Sequence, residues 1–203
     1  MTINPIITIP VGARGVDFLK PDPAHTPEWL RANGYTFACR YVARHSKHHK
    51  IVTRTEVDHL HACGIAVSLT YEGGDGDVLG GSSAGTANGA FAASFAHDLG
   101  YPAGLPLFAA ADTDVYAKNL DVATKYMTAF AAALGPYALG IYGDSDILRA
   151  MAGLHPIGWL PNAMGWSPSM HGATVHVQQA RTDKDHGIDP DECRIPFQAW
   201  LPH

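Results

Sequence analysis

The sequence predicts an α/β fold: a compact, trimmed (β/α)8 barrel of the TIM type. Three observations carry this. Short apolar runs alternate with helix-length segments from one end of the chain to the other, which is the pattern of a parallel sheet. About eight such runs can be counted, which favours a closed barrel over an open doubly wound sheet. Acidic residues fall within or at the ends of those runs, where a parallel barrel gathers its strand C-termini into one mouth.

The strand and helix candidates follow in order. GVDFL (15–19) is a short apolar run carrying Asp17. Thr26 and Pro27 open a helix, Thr26 as N-cap and Pro27 at the first helical position, and Asn33-Gly34 closes it. YTFACRYVA (35–43) is the second strand. Residues 53–63 form a helix with Val57 and Leu60 on one side, stopped by Gly64. IAVSLTY (65–71) is the third strand and runs into Glu72. A Gly-rich stretch, 73–83, is expected to be a flexible loop beside the mouth, ahead of an Ala-rich helix over 84–99. LPLFAAA (105–111) leads into Asp112-Thr113-Asp114. A helix over 119–134 stops at Gly135-Pro136. ALGIY (138–142) is the fifth strand, and a short helix spans 144–151. Residues 158–160, 173–179 and 187–189 supply the sixth to eighth strands. Helix signals are weak beyond residue 152, so the last βα units are trimmed.

At 203 residues the chain reads as a single domain, 1–203, with its barrel core over about 14–192. A hydrophobic content of 46% against 16% charged residues excludes a disordered polymer. The net charge of −5 argues against a nucleic-acid partner, which needs concentrated Lys and Arg. The one basic run, Arg44-His45-Ser46-Lys47-His48-His49-Lys50, reads as a solvated loop. Cys39, Cys63 and Cys193 form no CxxC pair, so neither a zinc knuckle nor a disulfide framework is expected, although one disulfide stays open. The first residues lack a secretory signal, and no apolar stretch is long enough to span a membrane. Localisation is left between the cytoplasm and a phage-encoded product released by lysis or another export route. A monomer is expected.

The candidate catalytic residues are Asp17, Glu72, Asp112, Asp114 and Asp189. Asp112 and Asp114 are two apart, so in an extended segment they share a face. Two close carboxyls cannot both ionise freely near neutral pH: one becomes an acid while the other stays a base or nucleophile. Glycoside hydrolysis needs such an unequal pair. Each acid also has a plainer reading: Asp17 and Asp189 as turn residues, Glu72 as a solvated loop acid, and Asp112 with Asp114 as ligands of a structural cation or a cap on the next element. Tyr41, Tyr71, Tyr142 and Trp166 lie near strand ends, where aromatic faces suit sugar rings. Arg40, inside a strand, calls for a carboxylate partner, with Asp17 and Glu72 as candidates. Gln178 and Gln179 end a strand, and Gln178 completes the substrate-binding set.

Other chemistry finds little support. The Gly-rich stretch lacks the Lys-Ser/Thr of a P-loop and does not open a first βαβ unit. Asp75-Gly76-Asp77 lacks the remaining ligands of a calcium loop. The twelve histidines form no HExxH, and there is no GxSxG elbow. Scattered structural roles suit His171, His176 and His186. No metal and no cofactor are expected.

Several segments together resemble one family. They are GVDF (15–18), CRYV (39–42), LTYEGG (69–74), LPLFAAADTD (105–114), LGIYGD (139–144) and the late VQQ…GIDPD (177–191). Their order and spacing resemble the actinobacterial and phage glycoside-hydrolase-like barrel domains, long carried as a domain of unknown function. That family is similar in layout to the family 25 glycoside hydrolases, the lysozyme-like muramidases. The resemblance covers about residues 14–192 and implies an acidic cleft at the strand C-termini. In the muramidases an Asp-x-Glu pair ends the fourth strand and its Glu donates the proton. Here Asp114 stands in the place of that Glu, shorter by one methylene, and Glu72 on the neighbouring strand becomes the alternative acid. Asp17 and Asp189 match the flanking acids.

The expected function is therefore a glycoside hydrolase acting on a cell-wall glycan of the peptidoglycan type. Glu72 or Asp114 would be general acid and Asp112 the base or charge stabiliser. Asp17 and Asp189 would orient water or substrate. The alternatives are a non-catalytic glycan-binding module and a virion or surface structural part on the same barrel.

Overall fold

A computed structural model describes residues 5–44, 50–162, 172–180 and 187–202. In chain order the strands are β1 (Ile6–Ile9), β2 (Arg14–Asp17), β3 (Tyr35–Val42), β4 (Ala66–Tyr71), β5 (Pro106–Ala110), β6 (Ala138–Tyr142), β7 (Ile157–Leu160), β8 (Val177–Gln179), β9 (Asp189–Cys193) and β10 (Phe197–Trp200). Strands β2 to β9 close into an eight-stranded barrel, with β4 paired to β5 and β9 returning to β2. Helices α1 (Pro27–Ala32), α2 (Arg54–Ala62), α3 (Gly81–Leu99), α4 (Ala117–Ala133) and α5 (Ser145–Ala150) follow β2 to β6 in turn. The α/β barrel expected from the alternation is the fold observed.

The helices start where local chemistry directs. Thr26 Oγ1 accepts from the backbone N–H of Trp29 at 3.3 Å, and Thr53 Oγ1 from that of Glu56 at 3.2 Å. Asp144 caps α5 by accepting from Asp146 N and Ile147 N, and its second oxygen accepts from Val115 N at 2.7 Å.

Two cores result. Outside the wall, Val16, Ala38, Leu69, Leu107 and Ile141 pack against the helices. Inside it, Phe37, Cys39, Phe108, Trp159, Val177 and Cys193 fill the barrel. The interior alternates large with small: a Cβ on Gly15 would lie 2.1 Å from the Phe37 ring, and one on Gly140 would lie 2.5 Å from Phe108. All three cysteines are free; Cys39 and Cys193 are buried and Cys63 is partly exposed.

Three expectations about the fold are corrected, and one ribbon is added to it. The eighth strand runs antiparallel to both its neighbours, so β9 begins, rather than ends, at the mouth. An additional ribbon, β1 with β10, joins the wall where Trp200 faces Val67, below the point at which β4 meets β5. The Gly-rich stretch is a loop only as far as Gly76, since a 3-10 turn spans Asp77–Gly80 and α3 starts at Gly81. Two glycines farther along α3 are helix contacts. A Cβ on Gly85 would lie 2.2 Å from the Tyr126 carbonyl oxygen, and one on Gly89 would lie 2.6 Å from that of Phe130, so α3 and α4 meet backbone to backbone. Finally, the two ends of the basic run are anchored. Arg44 donates to the Ala87 carbonyl at 2.6 Å and lies over the Phe91 ring, and Lys50 is buried. Residues 45–49 lie outside the described residues.

Candidate active site

Strand parity decides which side chains enter the barrel. On β2, Gly15 and Asp17 face inward; on β3, Phe37, Cys39 and Tyr41 do. Asp17 is 2% exposed. Its Oδ1 accepts from the Tyr41 hydroxyl at 2.6 Å and its Oδ2 from Gln179 Nε2 at 2.8 Å. Burial pushes the Asp17 carboxyl up to about 7, the charge of Asp189 adds to this, and the two hydrogen bonds act against it.

On β9 the inward positions are Asp189, opposite Asp17 in the register, and Asp191, opposite Gly15. Asp191 is 3% exposed and accepts from the Trp159 indole N–H at 2.8 Å. Burial, then the charge of Asp17, drives its carboxyl well above the usual range. Its Oδ2 and the Oδ1 of Asp189 are buried without a hydrogen-bond partner among the described residues. Burial and the charge of Asp17 both favour the neutral, protonated form of Asp191.

Glu72 follows β4 at the rim and forms an ion pair with Lys50, both side chains largely buried. The Lys50 ammonium also lies 5.3 Å from the centre of the Tyr41 ring. Asp112, beyond the end of β5, is pushed up to about 6 by burial and then by the charges of Glu72 and Asp75, while Lys50 pulls it down. Tyr142 joins the two groups. Its ring packs edge-on against Trp159 with centroids 4.6 Å apart. Its hydroxyl is held far above its usual range by burial, reinforced by Asp17, Asp112, Glu72 and Asp191. These four carboxyls thus share one space.

Among the sequence-derived candidates, Asp17, Glu72, Asp112, Asp189, Tyr41 and Tyr142 come together at this mouth. Asp114 is two residues beyond Asp112, but β5 ends at Ala110 and the backbone bends at Thr113. The extended stretch that would set Asp112 and Asp114 on one face is therefore absent. Arg40 is a correction. It points outward from β3, fully buried, with Nε 2.5 Å from Glu56 Oε1 and further bonds to the carbonyls of Phe18 and Lys50. Its carboxylate partner is thus Glu56 of α2, not Asp17 or Glu72. Tyr71 also points outward, its ring against Phe91 and Phe130. Gln178 accepts from Arg194 Nε at 3.0 Å on the outside, and the inward glutamine is Gln179. Trp166 lies outside the described residues.

Lys50 and Asp191 escape the sequence reading. Asp191 had a signal: alternation continued two residues past Asp189 places it on the same inner face. Lys50 had none, since a lysine closing a basic run gives no sign of burial. A cavity of about 420 Å3 lies away from these acids, between residues 21–27 and α2, with a mainly apolar lining.

The profile of the Rv2525c-like, glycoside hydrolase-like domain matches residues 28–193. The chain belongs to that family. Solved structures extend the likeness of this Rv2525c-like chain at the level of fold. The Tat-secreted protein Rv2525c of Mycobacterium tuberculosis is 21% identical, over 91% of this chain and 96% of that one, with a TM-score of 0.75. The bacterial lysozyme of Streptomyces coelicolor is 12% identical over 91% and 93%, with a TM-score of 0.59. A family 25 glycosyl hydrolase of Bacillus anthracis is 10% identical over 95% and 90%, with a TM-score of 0.51. No curated protein matches by sequence. Among the described residues no helix is long and apolar enough to cross a membrane.

Proposed function

We propose that this Rv2525c-like domain hydrolyses a glycosidic bond in a cell-wall glycan of the peptidoglycan type. The observation that carries the reading is the unequal setting of two rim acids, Asp112 and Glu72. Asp112 has its proton affinity raised to about 6, so it holds a proton over the acid side of neutrality. Glu72 keeps a cation, Lys50, against its carboxylate. One group can donate and the other can carry charge, which is the inequality that glycoside hydrolysis requires.

In this reading Asp112 protonates the departing glycosidic oxygen. Glu72 faces the developing oxocarbenium ion or draws the proton from attacking water. The electrostatics thus favour exchanging the roles that the sequence suggested for these two. Asp17, held by Tyr41 and Gln179, and Asp189 line the opposite side and position the sugar and water. The family description and the lysozyme-like neighbours support a glycan as the substrate class.

The Asp114 that stands where muramidases carry Glu favours a second reading, a glycan-binding module without turnover. Mass spectrometry of peptidoglycan incubated with wild type, Asp112→Asn and Glu72→Gln separates the two. Muropeptides or disaccharides released by wild type alone support hydrolysis at this pair. Pull-down by the polymer with no product from any of the three leaves the binding module.

A further inference from the structure

A second cluster of reactive side chains lies apart from the barrel mouth, where α1 runs beside α2. Glu28 is in the first turn of α1. His59 lies in the last turn of α2, and Cys63, four positions on, is that helix's C-cap residue, so both project from one face. The carboxylate oxygen, imidazole nitrogen and thiol sulfur all lie within 4.8 Å of one another. His59 Nε2 is 2.6 Å from Glu28 Oε1.

We propose that Glu28, His59 and Cys63 form a zinc site that clips α1 to α2. Tetrahedral zinc bonds of about 2.0–2.3 Å set ligand atoms about 3.3–3.8 Å apart. A group already inside 4.8 Å closes onto the ion by small side-chain rotations. Thiolate, imidazole and carboxylate together suit a borderline cation, whereas magnesium and calcium select oxygen alone. Three protein ligands leave one tetrahedral position for water. Binding releases the thiol proton of Cys63 to solvent, while a neutral His59 keeps its ring proton on the nitrogen turned away from the metal, leaving thiolate, neutral imidazole and carboxylate on the metal. The two helices are capped independently by Thr26 and Thr53, so the ligands are in place before the ion arrives. Sequence patterns of the HExxH or CxxC kind miss such a site, because its ligands come from two helices.

Cobalt(II) titrated into the metal-free full chain tests this. The expected result is one equivalent bound, with visible bands of a tetrahedral ion, a thiolate-to-cobalt charge-transfer band in the near ultraviolet, and displacement by zinc. Cys63→Ser should abolish the charge-transfer band, and His59→Ala or Glu28→Ala should weaken binding at least about tenfold. All three side chains are at least partly exposed, so the variants retain the fold, which circular dichroism verifies. Cobalt binding without a thiolate band, a band that survives in Cys63→Ser, or no binding at all overturns the site.

Discussion

Asp17 and Asp191 stand on adjacent strands, two residues out of register, with both carboxyls inside the barrel and the charge of Asp17 strengthening the hold of Asp191 on its proton. Tyr41 and Gln179 bond one of them and Trp159 the other. The protein has therefore placed two acids where neutral groups fit best, and its stability should show it.

In the folded state Asp17 binds a proton up to about 7 and Asp112 up to about 6, and Asp191 is shifted in the same direction, whereas the unfolded chain releases them near 3.8. Between those limits the folded state holds more protons, so stability falls as pH rises. Thermal unfolding should show the midpoint dropping from about pH 4 to about pH 7. Asp17→Asn should flatten that slope; an unchanged slope would remove Asp17 as its source.

Hydrolysis should depend on the same protonations. If Asp112 is the proton donor, kcat/KM declines as pH rises above about 6. Asp112→Asn should lower turnover by roughly 10²–10⁴-fold while leaving binding of the glycan measurable. Turnover of this variant at the wild-type rate would assign the acid role elsewhere.

Lys50→Met removes the cation from a largely buried Glu72. Chemical denaturation should record a loss of about 3 kcal/mol, the usual cost of stranding one partner of a buried pair. Lys50 also holds the Asp112 carboxyl down, so the alkaline limb of any activity profile should move to higher pH in this variant. A variant as stable as wild type would mean that Glu72 reaches water when its partner is gone.

Gly85→Ala tests the contact between α3 and α4. Its methyl group would meet a backbone carbonyl at 2.2 Å, which no rotamer change relieves. A loss of about 1–3 kcal/mol is expected. Gly76→Ala, where nothing lies within 4 Å, should stay within about 0.5 kcal/mol of wild type.

Strands β2 to β6 and the helices after them are legible in the sequence because periodicity, caps and glycine stops agree there. The last quarter is less so. β7, β8 and β9 are short, and nothing local says that β9 turns back, since its direction comes from pairing with β2 and β8. At the site, Arg40, Tyr71 and Gln178 are misplaced for one shared reason. Each has an immediate neighbour that points inward, Tyr41, Thr70 and Gln179 respectively, and parity sends it to the other face of the wall. Composition finds the residues of a mouth, but only the count along each strand says which of them face it.

Trp159 bonds Asp191 through its indole N–H and sets its ring against Tyr142. An ionised and a neutral Asp191 present different electric fields to that indole. The difference in fluorescence between wild type and Trp159→Phe, which keeps Trp29, Trp166 and Trp200, thereby isolates an optical reporter of charge inside the barrel.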